Sequence, residues 1–111
     1  MQQQPAISAA LTVDGVTKLN CNAYVGQLVI VEVGGSTFGS GTLTFGYMTE
    51  AGAFAGEKDA AHATITATAS RKITMHVPAS GLVAVSLTGS TAPSLTVTVT
   101  PCLTATRIRT R

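Results

Sequence analysis

The side chains that could do chemistry are few: two cysteines, two histidines and five carboxylates in 111 residues. Cys21 and Cys102 stand far apart, and neither opens a C-x-x-C pair, so the zinc-site spacing is absent. A disulfide would require their Cα atoms within roughly 7 Å, and the expectation is two reduced, half-buried thiols. His62 follows Glu57 and Asp59 closely enough to offer a weak cation site. A metal, however, needs three or four converging ligands with outer-shell support, so no metal is expected. His76 alternates with Ile73 and Met75 beside Thr74, which places it on a solvent-facing side. Asp14, Glu32, Glu50, Glu57 and Asp59 are scattered, and only the last two are close, a poor basis for paired-carboxylate catalysis. A Ser/His/Asp set can assemble from distant positions. No G-x-S-x-G elbow is present to support one. Catalytic residues and cofactors are therefore both expected to be none.

Two further segments invite a ligand. The run Gly34-Gly35-Ser36-Thr37-Phe38-Gly39-Ser40-Gly41 has the look of a phosphate cradle. It lacks the Lys-Ser/Thr ending and the following helix that a P-loop requires, and it reads as a hairpin turn with glycines supplying positive φ. Arg107, Arg109 and Arg111, separated by Ile108 and Thr110, would share one face of an extended chain. They could clasp carboxylates on a partner through bidentate bonds, touch nucleic-acid phosphate, or remain a solvated tail. Nucleic acid is disfavoured as a partner. The net charge is only +2, and the available aromatics are Tyr24, Phe38, Phe45, Tyr47 and Phe54, of which Phe45 and Tyr47 belong to a core pattern.

The elements that must carry these residues show a two-residue rhythm. Ile7, Ala9, Leu11 and Val13 share one parity; so do Val29, Val31 and Val33, then Leu43, Phe45 and Tyr47. Ala63–Ala69, Ile73–Val77, Val83–Leu87 and Leu95–Val99 repeat the pattern, with threonine filling most of the alternate positions. Alternation is the mark of a strand whose faces differ, and β-branched residues suit its pleated surface. Seven such segments, with an eighth at Leu103–Arg109, predict an all-β fold: a single antiparallel β-sandwich of 7–8 short strands, of which a jelly roll is one form. Met48–His62 reads as the longest loop. Residues 1–5 read as an N-terminal arm, 6–101 as the sandwich, and 102–111 as a basic strand or tail.

Charged residues are 11% of the chain, against roughly 25% in ordinary soluble domains. Disordered acidic or basic segments and coiled coils are excluded by this composition. No apolar run is long enough for a membrane helix. The start, Met1-Gln2-Gln3-Gln4-Pro5, lacks the basic and apolar regions of a signal peptide, so synthesis in the cytoplasm is expected. Two strands carry apolar residues on both parities: Leu28 and Ile30 in one, Leu82 and Ala84 in the other. Strands of that kind are covered on both sides. The cover is either the Met48–His62 loop or another subunit. The shortage of charge favours a subunit covered by its neighbours.

Gly41-Thr42-Leu43-Thr44-Phe45-Gly46-Tyr47, the Gly52-Ala53-Phe54 loop, and the strands Val83–Thr88 and Ser94–Val99 flanking Thr91-Ala92-Pro93 together have a familiar texture. Over roughly residues 36–100 the chain resembles small β-sandwich virion proteins of tailed bacteriophages, of the head decoration or cement type. The resemblance implies a non-enzymatic subunit on the capsid exterior that binds the major capsid protein and itself, often as a trimer. It transfers no site residues; the N-terminal arm or the arginine tail would be the anchor, and from the two-sided strands and the tail the expected partner-binding residues are Leu28, Ile30, Leu82, Arg107, Arg109 and Arg111. A glycan- or receptor-binding appendage module and a head–tail joining component are the alternatives, with a hydrolase behind both.

Overall fold

A computed structural model describes residues 7–102. It contains nine strands: β1 (Ile7–Leu11), β2 (Gly15–Asn20), β3 (Leu28–Thr37), β4 (Thr42–Met48), β5 (Phe54–Gly56), β6 (Thr66–Ala67), β7 (Arg71–His76), β8 (Leu82–Thr88) and β9 (Ser94–Pro101). The only helical piece among the described residues is a 3-10 turn at Asn22–Tyr24. All pairings are antiparallel. One sheet runs β1-β9-β3-β7; the other runs β2-β8-β4-β5, with β6 also on β4.

The pairs are nested. β1 lies on β9, β2 on β8, β3 on β7, and β4 on β5 and β6. A long antiparallel ribbon, folded at the β4–β5 turn and then rolled up, produces this order. It is the jelly roll, two facing sheets with no third layer. The rolling sends successive strands to opposite sheets. The glycine run after Val33 is therefore not a hairpin turn, because β3 and β4 belong to different sheets. Gly34 and Gly35 continue β3 as far as Thr37, with a register shift between Gly35 and Thr37. A Cβ at Gly35, whose φ is +154°, would collide with the carbonyl of Ser94. Only glycine permits β9 to approach so closely there.

Three other details depart from the sequence expectation. β2 was not among the expected strands. Only Leu19 of it is a buried apolar residue, while Val16 faces outward, so its alternation is hidden. The Met48–His62 stretch is not all loop, because β5 lies within it. The Ala63–Ala69 alternation shrinks to β6, because Glu57–Ile65 leaves the edge as a small hairpin of its own. Glu57 N–H donates to the Phe45 carbonyl, Ile65 carbonyl accepts from Phe45 N–H, and Ile65 N–H returns to Glu57 carbonyl. β5 and β6 thus fill one position in the sheet, which makes eight positions in all. The proposed strand at Leu103–Arg109 lies outside the described residues.

Between the sheets lie Leu11, Leu19, Val31, Val33, Phe45, Val85, Leu87 and Val97, all fully buried or nearly so. These are the inward parities of the alternating segments, and the stiff β-branched side chains fill a thin slab without polar atoms. Truncating the one fully buried aromatic, Phe45→Ala, would cost about 3–5 kcal/mol.

Candidate functional site

Antiparallel order fixes the direction of each strand, and with it the two ends of the slab. Ile7 pairs with Val99, and the N–H of Cys102 donates to the Leu28 carbonyl at 3.0 Å. Both ends of the described chain therefore leave at one pole. The Cys21–Gln27, Thr49–Ala53 and Val77–Gly81 connections share that pole, tied by Gly26 N–H to Val77 carbonyl and Cys21 N–H to Gly81 carbonyl. Leu28 and Val25 are exposed there, at 39% and 45%.

The outer face of the first sheet is built mostly of hydroxyls. Thr96, Thr98 and Thr100 project from β9, and the ladder places Ile30 between Thr74 and Thr100 and Glu32 between Lys72 and Thr98. Leu28 stands opposite His76 in the same ladder, and His76 is exposed, as its parity implied. Leu28 and half-buried Ile30 thus form a short apolar ridge on a threonine surface.

Leu82 is elsewhere. It lies on the outer face of the second sheet, half-buried, so the structure does not bring it together with Leu28 and Ile30. Its neighbour Ala84 is fully buried within the chain. Ala84 faces Gly46 across the ladder, and the Phe54 ring crosses Gly46 so closely that a Cβ there would fall 2.7 Å from Cζ. Phe54 of β5, inside the stretch read as a loop, thus lies over Gly46, the ladder partner of Ala84. Among the described residues Leu28 is more exposed than Leu82, so the first sheet carries the freer apolar ridge. Arg107, Arg109 and Arg111 lie outside the described residues.

The sites considered from sequence resolve into turns. Asp59 Oδ1 accepts from the N–H groups of Ala61 (2.9 Å) and Ala63 (3.0 Å), closing the 57–65 hairpin, and Lys58 Nζ donates to Thr64 Oγ1 at 2.7 Å. Among the described residues no three His, Cys, Asp or Glu side chains converge. Around the glycine run, Gly39 N–H donates to Thr37 Oγ1 and Thr91 N–H to Gly39 carbonyl, so these backbone groups serve the β3–β4 and β8–β9 crossings. Both thiols are free. Burial pushes Cys21 above its usual range and keeps it protonated. The five aromatics are all buried or half-buried, so no stacking platform is presented. Among the described residues, no helix is long and apolar enough to cross a membrane.

Sequence reasoning missed the exposed valines. Val13 is 72% and Val16 44% exposed, both near the pole opposite Leu28 and Val25. The signal was there in Val16, an apolar residue out of phase with buried Leu19. Compared with family models, curated proteins and solved structures, the chain matches none.

Proposed function

We propose that this chain is a virion structural protein of a tailed bacteriophage, a head decoration or cement subunit that binds the outside of the major capsid protein and stabilises the shell. The observation that carries the reading is the shared pole: Ile7 and Cys102, the ends of the described residues, leave the jelly roll beside exposed Leu28 and Val25. An apolar ridge beside Cys102, after which the sequence carries Arg107, Arg109 and Arg111, suits a subunit that grips a larger surface. Apolar area would supply about 25 cal/mol per Å² buried, and the guanidinium groups would pair with carboxylates on the shell. The threonine face and low charge support the same reading, since they allow close approach of neighbours without like-charge repulsion. The mechanism is adhesive. Many copies on one shell convert weak single contacts into lasting attachment, and ligands that bind only the assembled form stabilise it by mass action. Self-association, with a trimer as the form implied by the resemblance, belongs to the same proposal.

Co-sedimentation with emptied capsid shells of tailed bacteriophages tests this. The protein should pellet saturably with shells and raise their melting temperature. Leu28→Asp, or Arg107, Arg109 and Arg111 changed together to alanine, should each weaken binding at least tenfold while the circular dichroism spectrum is kept. Absence of binding, or variants that bind as well as the parent, would overturn the reading. A specific hit on a glycan array would transfer it to the appendage class.

A further inference from the structure

Asp14, Asn20, Asn22 and Asp59 are the residues of this chain whose side-chain Cγ can be attacked by the next main-chain nitrogen to close a five-membered ring. A Cβ on the following residue obstructs that attack. Cys21, Ala23 and Ala60 each present one, whereas Gly15 does not. Asp14 and Gly15 are both exposed, where the chain bends from β1 into β2. Gly15 has φ +134°, and beyond its chain neighbours no atom lies within 4 Å of the place a Cβ would take. Room for a ring is open there.

Two holds keep the reacting groups apart. Ser90 donates to Asp14 Oδ1 from its hydroxyl and, at 3.1 Å, from its N–H. The hydroxyl bond above all lowers the carboxyl below its ordinary 3.8, so less of it carries the proton with which an oxygen can leave as water. The second hold is the ladder. Cys21 N–H donates to the Gly81 carbonyl, and the β2–β8 register continues without a shift to Gly15 opposite Leu87. Alternate residues of an antiparallel strand turn their N–H groups to the partner, so Gly15, of the same parity as Cys21, turns its own to β8. We infer that Asp14-Gly15 is a self-isomerisation site latched by Ser90, at which the peptide link migrates from the main-chain carbonyl of Asp14 to its side chain.

The step balances with water alone. The Gly15 nitrogen attacks Asp14 Cγ of the protonated carboxyl. The N–Cγ bond forms, the Cγ–O bond breaks, and the oxygen departs as water with the carboxyl proton and the amide proton. Solvent water then opens the ring. Attack at Cγ restores aspartate. Attack at the main-chain carbonyl carbon leaves the nitrogen on Cγ and frees an α-carboxylate. The main chain thereby gains one methylene ahead of β2, and the side-chain carboxyl that Ser90 held is gone. The β1–β2 and β8–β9 connections lose their tie, so the product does not relatch and melts lower than the parent. The site lies at the pole opposite Leu28 and Val25, and the inference stands on the fold and not on capsid binding.

Ageing the full chain in heavy-oxygen water at neutral pH, followed by peptide mapping, tests it. Each passage through the ring leaves one heavy oxygen on residue 14, and chromatography separates the aspartyl from the isoaspartyl peptide. Label and isoaspartate should accumulate at residue 14 at least fivefold faster in Ser90→Ala than in the parent, while Asp59 stays unlabelled in both. Gly46→Ala, which loosens the fold away from Asp14, should leave the rate at residue 14 at the parent's value. Circular dichroism checks that both variants keep the fold. Equal rates in the parent and Ser90→Ala overturn the proposal. So does an acceleration by Gly46→Ala as large as that by Ser90→Ala, which would assign the reaction to general unfolding, or label at Asp59 to match residue 14. Ser90→Ala should bind shells as the parent does, so failure of the capsid reading and failure of this one are told apart.

Discussion

At the residue scale the polar side chains mostly tie one crossing to another. Asp14 is the clearest case. Its Oδ1 accepts from the Ser90 N–H at 3.1 Å and from the Ser90 hydroxyl, joining the β1–β2 connection to the β8–β9 connection 76 residues away. The Ser90 hydroxyl, then the Ser90 N–H, hold the carboxyl below its ordinary 3.8. A carboxylate whose pKa is lowered in the folded state adds stability that is present above the unfolded value. That contribution is lost as pH falls through the folded value. Ser90→Ala removes the larger of these bonds. The variant should melt lower than the parent at pH 7, and the gap should begin to narrow as the pH drops below about 4, the unfolded value, and close below the lowered folded value, where Asp14 is protonated in both. Thermal melts across a pH series, with an NMR titration of the Asp14 carboxyl, check this. A gap that is constant with pH would show that the bond acts without the charge.

At the element scale, β4 shows how tightly the second sheet is layered. Gly46 sits between Ala84 and Gly56 with the Phe54 ring across it, and an added Cβ would also meet the Ala55 carbonyl. Gly46→Ala should destabilise by about 1–3 kcal/mol, the usual cost of overpacking. Phe54→Ala in the same background should relieve only part of the crowding, since the Ala55 carbonyl stays in place. Urea unfolding midpoints of the single and double variants measure both effects, and an unshifted midpoint for Gly46→Ala would refute the crowding. Strands such as β3, β4, β8 and β9 were legible in the sequence because inward Val, Leu and Phe alternate with outward Thr over several residues. β2 was not, because Thr17 takes an inward position and Val16 an outward one. The sheet to which a strand belongs was not legible either. An inward valine reads the same in either sheet, so the glycine run between β3 and β4 looked like a hairpin when it is a crossing. On the candidate site, the parity of Leu28 and Ile30 was legible, whereas their separation from Leu82 depended on sheet assignment.

At the scale of the whole molecule, the rolled ribbon has two ends that can be exchanged. One is the closed β4–β5 turn at Thr49–Ala53, where Gly52 N–H donates to Thr49 carbonyl and Glu50 and Ala51 are exposed. The other is open: β1 lies against β9, and both leave at the same pole as that turn. Joining residue 111 to residue 1 and opening the chain between Glu50 and Ala51 would keep every strand pair and nest them from the other end. Exposed loops tolerate such cuts when no ladder is broken. The permutant should therefore retain a cooperative melt within about 5 °C of the parent, a shift equal to roughly 1 kcal/mol for a domain of this size. Its folding route should change. Loop closure is least costly for neighbours in sequence, so the parent should start at β4–β5 and the permutant at β9–β1. Met48→Ala, in the β4–β5 ladder, should slow refolding more in the parent, and Val99→Ala, in the β1–β9 ladder, more in the permutant, as stopped-flow chevrons would resolve. A permutant that fails to fold would refute the exchange of the two ends. Identical sensitivity to the two substitutions in both forms would mean that the ribbon does not zip from its connected end.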